Sequence, residues 1–258
     1  MRTREIAPGS ILQRLYLRER LRRLRGGTFL EIGSGNGYNG RTLLKSGLRG
    51  LGVDLNASAC EKNRELNREA IDAGRYDVQH VDFFAHDFDR KFDVILSCMV
   101  IEHLSDEDVD AYFRRAMELL EPRGVIITVV PAQPRYWGIE DDIAGHKRRY
   151  TFADFPRIAQ RFGLTLRANA GLTFPVSNLL LPLSNRIVQA NEAHKRGLSD
   201  REQTILSGNR EVTFKTDFPW YMGLLLNDVT MYPLHLAQKA FAKSNRAMVI
   251  YSELALAA

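Results

Sequence analysis

An apolar run, Phe29–Ile32, leads directly into the segment Gly33–Gly37, in which every second residue is glycine. Because glycine has no Cβ and adopts positive φ at little cost, this pattern predicts a tight turn whose backbone touches a ligand. The next apolar run, Gly50–Leu55, carries the carboxylate of Asp54 near its end. A carboxylate accepts hydrogen bonds only, which suits a pair of ribose hydroxyls. Together the turn and the carboxylate predict a pocket for a nucleoside-bearing cofactor.

Strand and helix patterns alternate along residues 28–170, which predicts an α/β fold with a parallel sheet covered on both faces. The predicted strands are Phe29–Ile32, Gly50–Leu55, Val78–Asp82, Phe92–Met99, Val125–Val130, Leu164–Ala170 and Met248–Leu254. The predicted helices are Gly40–Ser46, Ala57–Ala73, Ser105–Leu120 and one that is opened by Thr151-x-x-Asp154 and ends near Gly163. Ser105-x-x-Asp108 resembles a capping box, and both helices are expected to begin at these caps.

A long segment, residues 171–246, separates the sixth predicted strand from the last. Structureless loops of this length are uncommon in compact domains, and apolar stretches occur at Leu179–Leu183 and Leu234–Ala242. We therefore predict a mostly helical cap, which either closes over a substrate or buries a homodimer face. The predicted divisions are residues 1–27 (N-terminal helix), 28–170 (core), 171–246 (cap) and 247–258 (final strand of the core).

The positive charge of the chain is concentrated at its N-terminus. The whole sequence has a net charge of +5, whereas residues 1–25 hold eight arginines against Glu5 and Glu19. Apolar residues recur at roughly helical spacing within Ser10–Arg25, so an amphipathic helix docked on the domain with a solvated basic face explains the charge. An anionic substrate, an RNA or a membrane surface are the alternatives.

Composition limits the class of protein. The chain has 258 residues, 45% of them hydrophobic, so it can bury a sizeable core. No apolar run reaches the roughly 18 residues of a membrane span, and the N-terminus lacks the apolar segment of a secretory signal. The two cysteines, Cys60 and Cys98, form neither a disulfide framework nor a CxxC pair. These features predict a cytoplasmic location.

A nicotinamide-dependent dehydrogenase is one alternative, because Gly35–Gly40 satisfies the GxGxxG pattern and an acidic residue follows. However, a dinucleotide-binding loop begins immediately after its strand, and this pattern starts two residues too late. Glu31 and the Asp82-Phe83 pair have no required role in dinucleotide binding, so the sequence disfavours this reading.

The order of four motifs instead resembles the class I S-adenosylmethionine-dependent methyltransferases of types 11 and 12. These motifs are Glu31-x-Gly33-x-Gly35-x-Gly37, Asp54, Asp82-Phe83 and Phe92–Met99. The resemblance covers residues 28–170 and the final strand. It implies a Rossmann-like, seven-stranded, mostly parallel sheet whose antiparallel last strand lies beside the fifth. It also implies S-adenosyl-L-methionine as cofactor and methyl transfer as the reaction.

The resemblance assigns roles to individual positions. The glycine loop would approach the methionine and ribose of the cofactor, and Asp54 would hold the ribose hydroxyls. Asp82 would accept from the adenine amino group, while the backbone and side chain of Phe83 would hold the ring. The implied cofactor-binding residues are Glu31, Gly33, Ser34, Gly35, Gly37, Asp54, Leu55, Asp82, Phe83, Ser97 and Cys98.

A narrower resemblance lies in the loop after the fifth strand, where Gly145–Tyr150 reads GHKRRY. It is similar to a bacterial methyltransferase subfamily with a W…D…GHxRRY segment over the acceptor side of the pocket. The implied substrate-binding residues are Trp137, Asp142, His146, Arg148, Arg149 and Tyr150. The alternative is that the two arginines pair with Asp141 or Asp142 as struts of the loop, with Tyr150 packed under the cap.

Two histidines are candidate catalytic bases. His103 follows the fourth strand in Val100–Leu104, and His146 is expected across the pocket. Removing a proton from a hydroxyl or ammonium acceptor suits the pKa range of histidine. The alternative for Glu102-His103 is a structural role at a helix entry. The spacing of His and Asp residues matches no usual metal site, so we expect no metal.

The sequence favours a small-molecule acceptor, which is anionic, sugar-like or natural-product-like, methylated on oxygen or nitrogen. Binding to nucleic acid is not expected, because no RNA-binding module is recognisable and the charge is confined to one helix. The alternative is an RNA or protein methyltransferase that binds its polymer through the N-terminal arginines. A non-catalytic cofactor-binding subunit is a third reading, which the complete set of cofactor motifs disfavours.

Overall fold

A seven-stranded sheet forms the centre of the computed structural model, which describes residues 7–24, 26–192 and 220–257. Its strands are β1 (Thr28–Ile32), β2 (Arg49–Asp54), β3 (Tyr76–His80), β4 (Phe92–Cys98), β5 (Leu120–Pro131), β6 (Leu164–Leu172) and β7 (Val249–Leu256). The described helices are α1 (Pro8–Leu21), α2 (Tyr38–Lys45), α3 (Ala57–Leu66), α4 (Arg68–Asp72), α5 (Asp106–Glu118), α6 (Ile139–Ala144), α7 (Asp154–Phe162), α8 (Val176–Glu192) and α9 (Tyr232–Ala240). Short 3₁₀ helices cover Ile101–His103, Pro134–Tyr136 and Trp220–Leu224.

The strands lie in the order β3-β2-β1-β4-β5-β7-β6. Strands β1 to β5 pair in parallel, and β7 lies antiparallel between β5 and β6. This confirms the predicted Rossmann-like sheet with an antiparallel last strand beside the fifth. In the parallel register, Ile32 of β1 lies opposite Val53 of β2 and Ser97 of β4. The carboxyl ends of these three strands therefore meet at one edge of the sheet, where ligands bind in such folds.

Several element ends differ from the sequence prediction. Strand β3 ends at His80, two residues early, so Asp82 lies in the turn that follows. The long helix predicted from residue 57 is divided at Asn67, because the side-chain amide of Asn67 donates to the carbonyl oxygen of Gly37 at 3.1 Å. The glycine loop thus takes a hydrogen-bond donor from the residue that breaks the helix.

Of the two predicted caps, only the one at Ser105 forms as expected, and the N-cap position of α7 is Ala153, without a side-chain cap. Ser105 Oγ accepts from the Asp108 backbone N–H at 3.1 Å and caps α5 in the expected way. Before α7 the roles are reversed, because the Asp154 carboxylate accepts from the backbone N–H and hydroxyl of Thr151. Helix α7 begins at Asp154, three residues after the predicted cap, and ends at Phe162, with Gly163 as its C-cap at φ +64°.

Helix α1 is part of the packed domain. Ile11, Leu12 and Leu21 are fully buried, and Leu12 belongs to an apolar cluster with Leu226 and Met231. The basic residues of the helix are paired with acidic residues from the C-terminal part of the chain. Arg14 and Arg18 contact Asp228 at 2.5 and 2.6 Å, and Arg20 binds both carboxylate oxygens of Glu253.

The predicted cap is described in part. Helices α8 and α9 lie within it, while residues 193–219 fall outside the described residues. Strand β6 continues to Leu172, two residues into the segment assigned to the cap. Among the described residues, no helix has the length and apolar character needed to cross a bilayer.

We expect Leu12→Ala to lower the free energy of unfolding by roughly 2–5 kcal/mol, because it leaves a cavity under a fully buried side chain. Urea denaturation measures this change. The matched control is Arg22→Ala on the exposed end of the same helix, which should stay within about 0.5 kcal/mol of the wild type. Equal effects of the two substitutions would show that α1 does not contribute to the core.

Candidate active site

The glycine loop between β1 and α2 is packed too closely to accept side chains. Gly33 has φ +67°, and a Cβ there would lie 2.5 Å from the Cγ2 of Val100. Gly37 has φ +85°, and a Cβ there would lie 2.2 Å from the Oδ1 of Asn63. Both positions require glycine for conformation and for space, and the loop presents its backbone at the ligand-binding edge of the sheet.

Asp54 at the end of β2 fixes this loop. Its Oδ2 accepts from the Gly35 backbone N–H at 2.8 Å, and its Oδ1 accepts from the Asn56 backbone N–H at 2.8 Å. A carboxylate has about four acceptor sites, so both oxygens retain capacity for further donors such as a hydroxyl pair. The residue therefore shapes the loop and also offers the acceptors that a ribose requires.

Glu31 is a buried carboxyl group beneath the same loop. Burial raises its pKa from 4.5 to about 8; the nearby charge of Asp54 adds to this, and the Asn39 side chain and Gly40 backbone oppose it. The loop thus lies beside two acidic residues, Asp54 and Glu31, and no positive charge compensates that of Glu31 among the groups that shift its pKa. This is an environment in which a cationic ligand is favoured over an anionic one.

The predicted adenine contacts lie on the turn after β3. Asp82 is exposed, and its Oδ1 accepts from the Phe84 backbone N–H at 2.8 Å. The Phe83 ring is buried and packs against the rings of Phe88 and Tyr112, so it faces the core. Leu55, another residue that the sequence assigns to cofactor binding, lies at this edge, and its apolar side chain is 46% exposed.

Ser97 and Cys98 end the neighbouring strand β4. The buried Ser97 Oγ accepts from the Tyr112 hydroxyl at 2.8 Å, so this side chain is engaged within the protein. Burial raises the pKa of the Cys98 thiol to about 12, and its Sγ lies 4.0 Å from the Oε1 of Gln13. A thiol in this state is a poor nucleophile.

The loop between β5 and α7 folds back onto the end of β4. Tyr150 donates its backbone N–H to the Pro131 carbonyl at 2.9 Å and its hydroxyl to the Ile101 carbonyl at 3.1 Å. Lys147 donates its backbone N–H to the Glu102 carbonyl at 2.8 Å. These bonds bring the rings of His103 and His146 together with 4.8 Å between their centroids.

A buried carboxylate, Asp141, holds this loop together. It accepts from Arg149 Nε and Nη2 at 2.8 and 2.9 Å, and from the Gly138 backbone N–H at 2.9 Å. The Nδ1 of His146 lies 2.8 Å from its Oδ1. Burial alone would raise the pKa of Asp141, but the hydrogen bonds from His146 and Arg149 keep it below its usual value. The residue thereby orients the His146 ring.

The sequence analysis missed Asp141 as a site residue and named its neighbour Asp142, which accepts from Trp137 Nε1 at 2.8 Å. Arg149 also donates to the Ala132 carbonyl at 3.1 Å, and Arg148 donates to the Leu104 carbonyl at 3.0 Å and to Asp106. Both guanidinium groups therefore bind atoms of the chain. Arg149 pairs with Asp141, as in the strut alternative, whereas the acidic partner of Arg148 is Asp106. The two aspartates before the GHxRRY segment indicate that an acidic residue binds its basic side chains. Spacing in the sequence does not show which of the two aspartates does so.

Glu102 and His103 have unusual protonation equilibria. Burial and the neighbouring His146 lower the pKa of His103 to about 4, so its ring is neutral at neutral pH. Burial raises the pKa of Glu102 to about 7. Its carboxylate has no hydrogen-bond partner within the described part of the chain, and its Oε1 is 3.9 Å from His146 Nε2. The sequence had given Glu102 only a structural role.

Comparison with known proteins agrees with this geometry. Residues 30–126 match the Methyltransf_12 family model, described as a methyltransferase domain. The ubiquinone biosynthesis O-methyltransferase of Azorhizobium caulinodans is 30% identical over 110 residues, which is 42% of this chain and 41% of that protein. The Rhodopseudomonas palustris (strain TIE-1) protein of the same name is 30% identical over 117 residues, which is 44% of this chain and 43% of that protein. The match thus spans less than half the length of either relative.

Solved structures share the fold at low identity. The [4+2]-cyclase SpnF aligns with a TM-score of 0.59 and 15% identity over 95% of this chain and 81% of that one. Phosphoethanolamine N-methyltransferase 2 of Haemonchus contortus, in complex with S-adenosyl-L-methionine, aligns with a TM-score of 0.59 and 19% identity over 95% of this chain and 52% of that one. Mitomycin 7-O-methyltransferase MmcR aligns with a TM-score of 0.52 and 19% identity over 63% of this chain and 50% of that one. The family match and the sheet order together show that residues 30–126 are similar to a methyltransferase domain and that the chain has the Rossmann-like fold of such domains.

We expect Glu31→Gln to change how stability depends on pH. The folded protein binds the Glu31 proton more tightly than the unfolded chain, so wild-type stability falls as pH rises from 4.5 towards about 8. This fall is at most about 1.4 kcal/mol per pH unit, and the variant lacks it. Urea denaturation of cofactor-free protein across this range measures the difference. The exposed substitution Glu118→Gln is the control, and parallel curves for wild type and Glu31→Gln would contradict the assignment.

Proposed function

We propose that this chain is an S-adenosyl-L-methionine-dependent methyltransferase that acts on a small-molecule acceptor, by in-line transfer to oxygen or nitrogen with a histidine base. One observation carries the proposal: a glycine loop fixed by Asp54 lies at the same sheet edge as a histidine oriented by a buried aspartate. The fold alone does not decide the reaction, because SpnF, a [4+2]-cyclase, shares it. The function is therefore argued from the site.

The residues present suit the cofactor. The loop Gly33–Gly37 has no side chain at Gly33, Gly35 or Gly37, Asp54 offers acceptors for the ribose hydroxyls, and Asp82 is exposed for the adenine amino group. The buried acid Glu31 suits a ligand that carries positive charge. When bound, the cofactor supplies a methyl group on a sulfonium, which is the reactive centre of the transfer. The chain aligns acceptor and methyl group, a contribution that reaches several kcal/mol through proximity.

His146 is the better of the two candidate bases. An acceptor hydroxyl or ammonium transfers its proton to Nε2, and the resulting imidazolium is stabilised by Asp141 at Nδ1, as in other aspartate–histidine pairs. Burial and the neighbouring His146 lower the pKa of His103 to about 4, which makes it a weak base. We assign His103 to the wall of the acceptor site beside His146.

The acceptor is a small molecule with a hydroxyl or amino group on an apolar frame. Proteins similar to this chain are named ubiquinone biosynthesis O-methyltransferases, and one structural neighbour is mitomycin 7-O-methyltransferase. Because both arginines of the loop bind chain atoms, recognition falls to Trp137, which is 43% exposed, and to the cap. A cytoplasmic location and a homodimer formed through the cap stay predictions.

We expect Asp54→Ala to weaken binding of S-adenosyl-L-homocysteine at least tenfold, because charged hydrogen bonds are worth about 1.5–3 kcal/mol and the loop loses its anchor. Titration calorimetry measures the affinity. Asp89→Ala, on an exposed surface residue, is the control and should leave the affinity unchanged. Binding of the wild type too weak to detect would overturn the proposed function itself.

We expect His146→Ala to lower kcat by about 10²–10⁴-fold while leaving S-adenosyl-L-homocysteine affinity within a factor of about two, because it removes a proton acceptor and no cofactor contact. Single-turnover assays on a panel of phenolic acceptors measure the first effect and calorimetry the second. If His146→Ala lost cofactor affinity as badly as Asp54→Ala, the assignment of His146 as the base would be wrong.

A further inference from the structure

Three potential ligand side chains converge where the β5–α7 loop meets the end of β4. Glu102, His103 and His146 each present one ligand-type atom, and these atoms all lie within 4.8 Å of one another. No second group of this composition occurs in the part of the chain that the structure describes. His146 lies 43 positions beyond His103, so sequence spacing gave no sign of the cluster, and the fold alone brings the three residues together.

The buried carboxyl group of Glu102 favours the binding of a cation in this cluster. Its side chain is fully buried, and neither carboxylate oxygen has a hydrogen-bond partner among the described residues. Burying a carboxylate without donors is costly, so such a group requires either a proton or a cation. The atom that faces it is His146 Nε2 at 3.9 Å, which is beyond hydrogen-bond distance.

Hydrogen bonds to neighbouring groups of the chain fix the orientation of both imidazole rings. His146 is bound at Nδ1 by Asp141, which is in turn bound by Arg149. His103 is hydrogen-bonded to the backbone of Gly145. Histidines that ligate metal ions are usually held in this way, by a carboxylate or a backbone oxygen on the other ring nitrogen, which fixes the tautomer and the ring plane.

We propose that Glu102, His103 and His146 form a binding site for one divalent first-row transition ion, such as Zn²⁺, Co²⁺ or Mn²⁺. Two imidazoles with one carboxylate favour these ions over Mg²⁺ and Ca²⁺, which prefer oxygen ligands. Metal–nitrogen bonds of about 2.0–2.1 Å need ligand atoms closer than 4.8 Å, so ion binding requires small adjustments of the three side chains. Three protein ligands leave room for an acceptor oxygen.

The ion would change how the acceptor loses its proton, and this consequence rests on the proposed function. His146 Nε2 cannot bind an ion and accept a proton at once. With Glu102, His103 and His146 holding the ion, it would lower the pKa of an acceptor hydroxyl bound to it, so that the hydroxyl would lose its proton to water before the methyl transfer. Ion binding itself requires no methyl transfer and can be tested without it.

The test is a titration of chelator-treated protein, free of any affinity tag, with Co²⁺, followed by visible absorption. We expect one Co²⁺ per chain with ligand-field bands of a nitrogen–oxygen site, full displacement by Zn²⁺ and no displacement by excess Mg²⁺. No uptake of Co²⁺, or a preference for Mg²⁺, would overturn the proposal. Calorimetry with S-adenosyl-L-homocysteine on the metal-free protein tests the proposed function separately, so the two failures are distinguishable.

Substitutions assign the ion to this cluster. Glu102→Gln keeps the shape of the side chain and should weaken Co²⁺ binding at least tenfold, while Asp141→Asn should weaken it by about 10–100-fold through the orientation of His146. His80→Gln alters an exposed histidine outside the cluster and should bind like the wild type. Glu102→Gln removes an unpaired buried charge, so its melting temperature should not fall. Wild-type affinity in a folded Glu102→Gln variant would overturn the site.

Discussion

Parallel pairing of β1 with both β2 and β4 is the constraint on which the rest of the molecule depends. The register places Ile32, Val53 and Ser97 side by side, so the chain leaves all three strands at one edge. The turn after β1 then has room only for glycine at positions 33 and 37, because Val100 from the β4 side and Asn63 from α3 lie against them. Asp54 joins the turn to β2 through the Gly35 N–H. The cofactor side of the site therefore follows directly from strand order.

The loop between β5 and α7, where we propose that the acceptor binds, depends on a different interaction, the buried carboxylate of Asp141. Removing one partner of a buried, hydrogen-bonded charge is costly. In this protein Arg149, Gly138 and His146 all bind the Asp141 carboxylate, so its hydrogen-bonding capacity is satisfied. The same bonds decide what the loop can do. Arg149 is committed to holding the loop, and His146 is oriented with one nitrogen towards Glu102. Asp141 thus neutralises one arginine of the GHKRRY segment and orients the imidazole ring of the same segment.

Much of the fold and of the cofactor side could be predicted from the sequence, because those features are local. A strand that ends in alternating glycines, and an acid at the end of the next strand, require only short-range geometry. The acceptor side could not be predicted in the same way. The choice of Asp141 over Asp142, the inward ring of Phe83 and the meeting of His146 with Glu102 depend on how a loop folds across the sheet edge. Helix breaks such as Asn67 were missed for the same reason, since the partner of that side chain is 30 residues away at Gly37.

The charge of the N-terminal helix and the state of Glu102 show how differently the molecule treats its ionised groups. Carboxylates of the same chain bind Arg14, Arg18 and Arg20. Part of the basic charge of the N-terminal helix is therefore used in ion pairs within the protein. Glu102 lies in the opposite situation, with full burial and no donor. Desolvation pushes it towards the protonated form, with a pKa raised to about 7, and a cation between it and the two imidazoles would reverse that tendency. If the proposed ion binds, a proton and the ion would compete for Glu102, and His146 would then serve either as the proton acceptor or as a ligand of the ion.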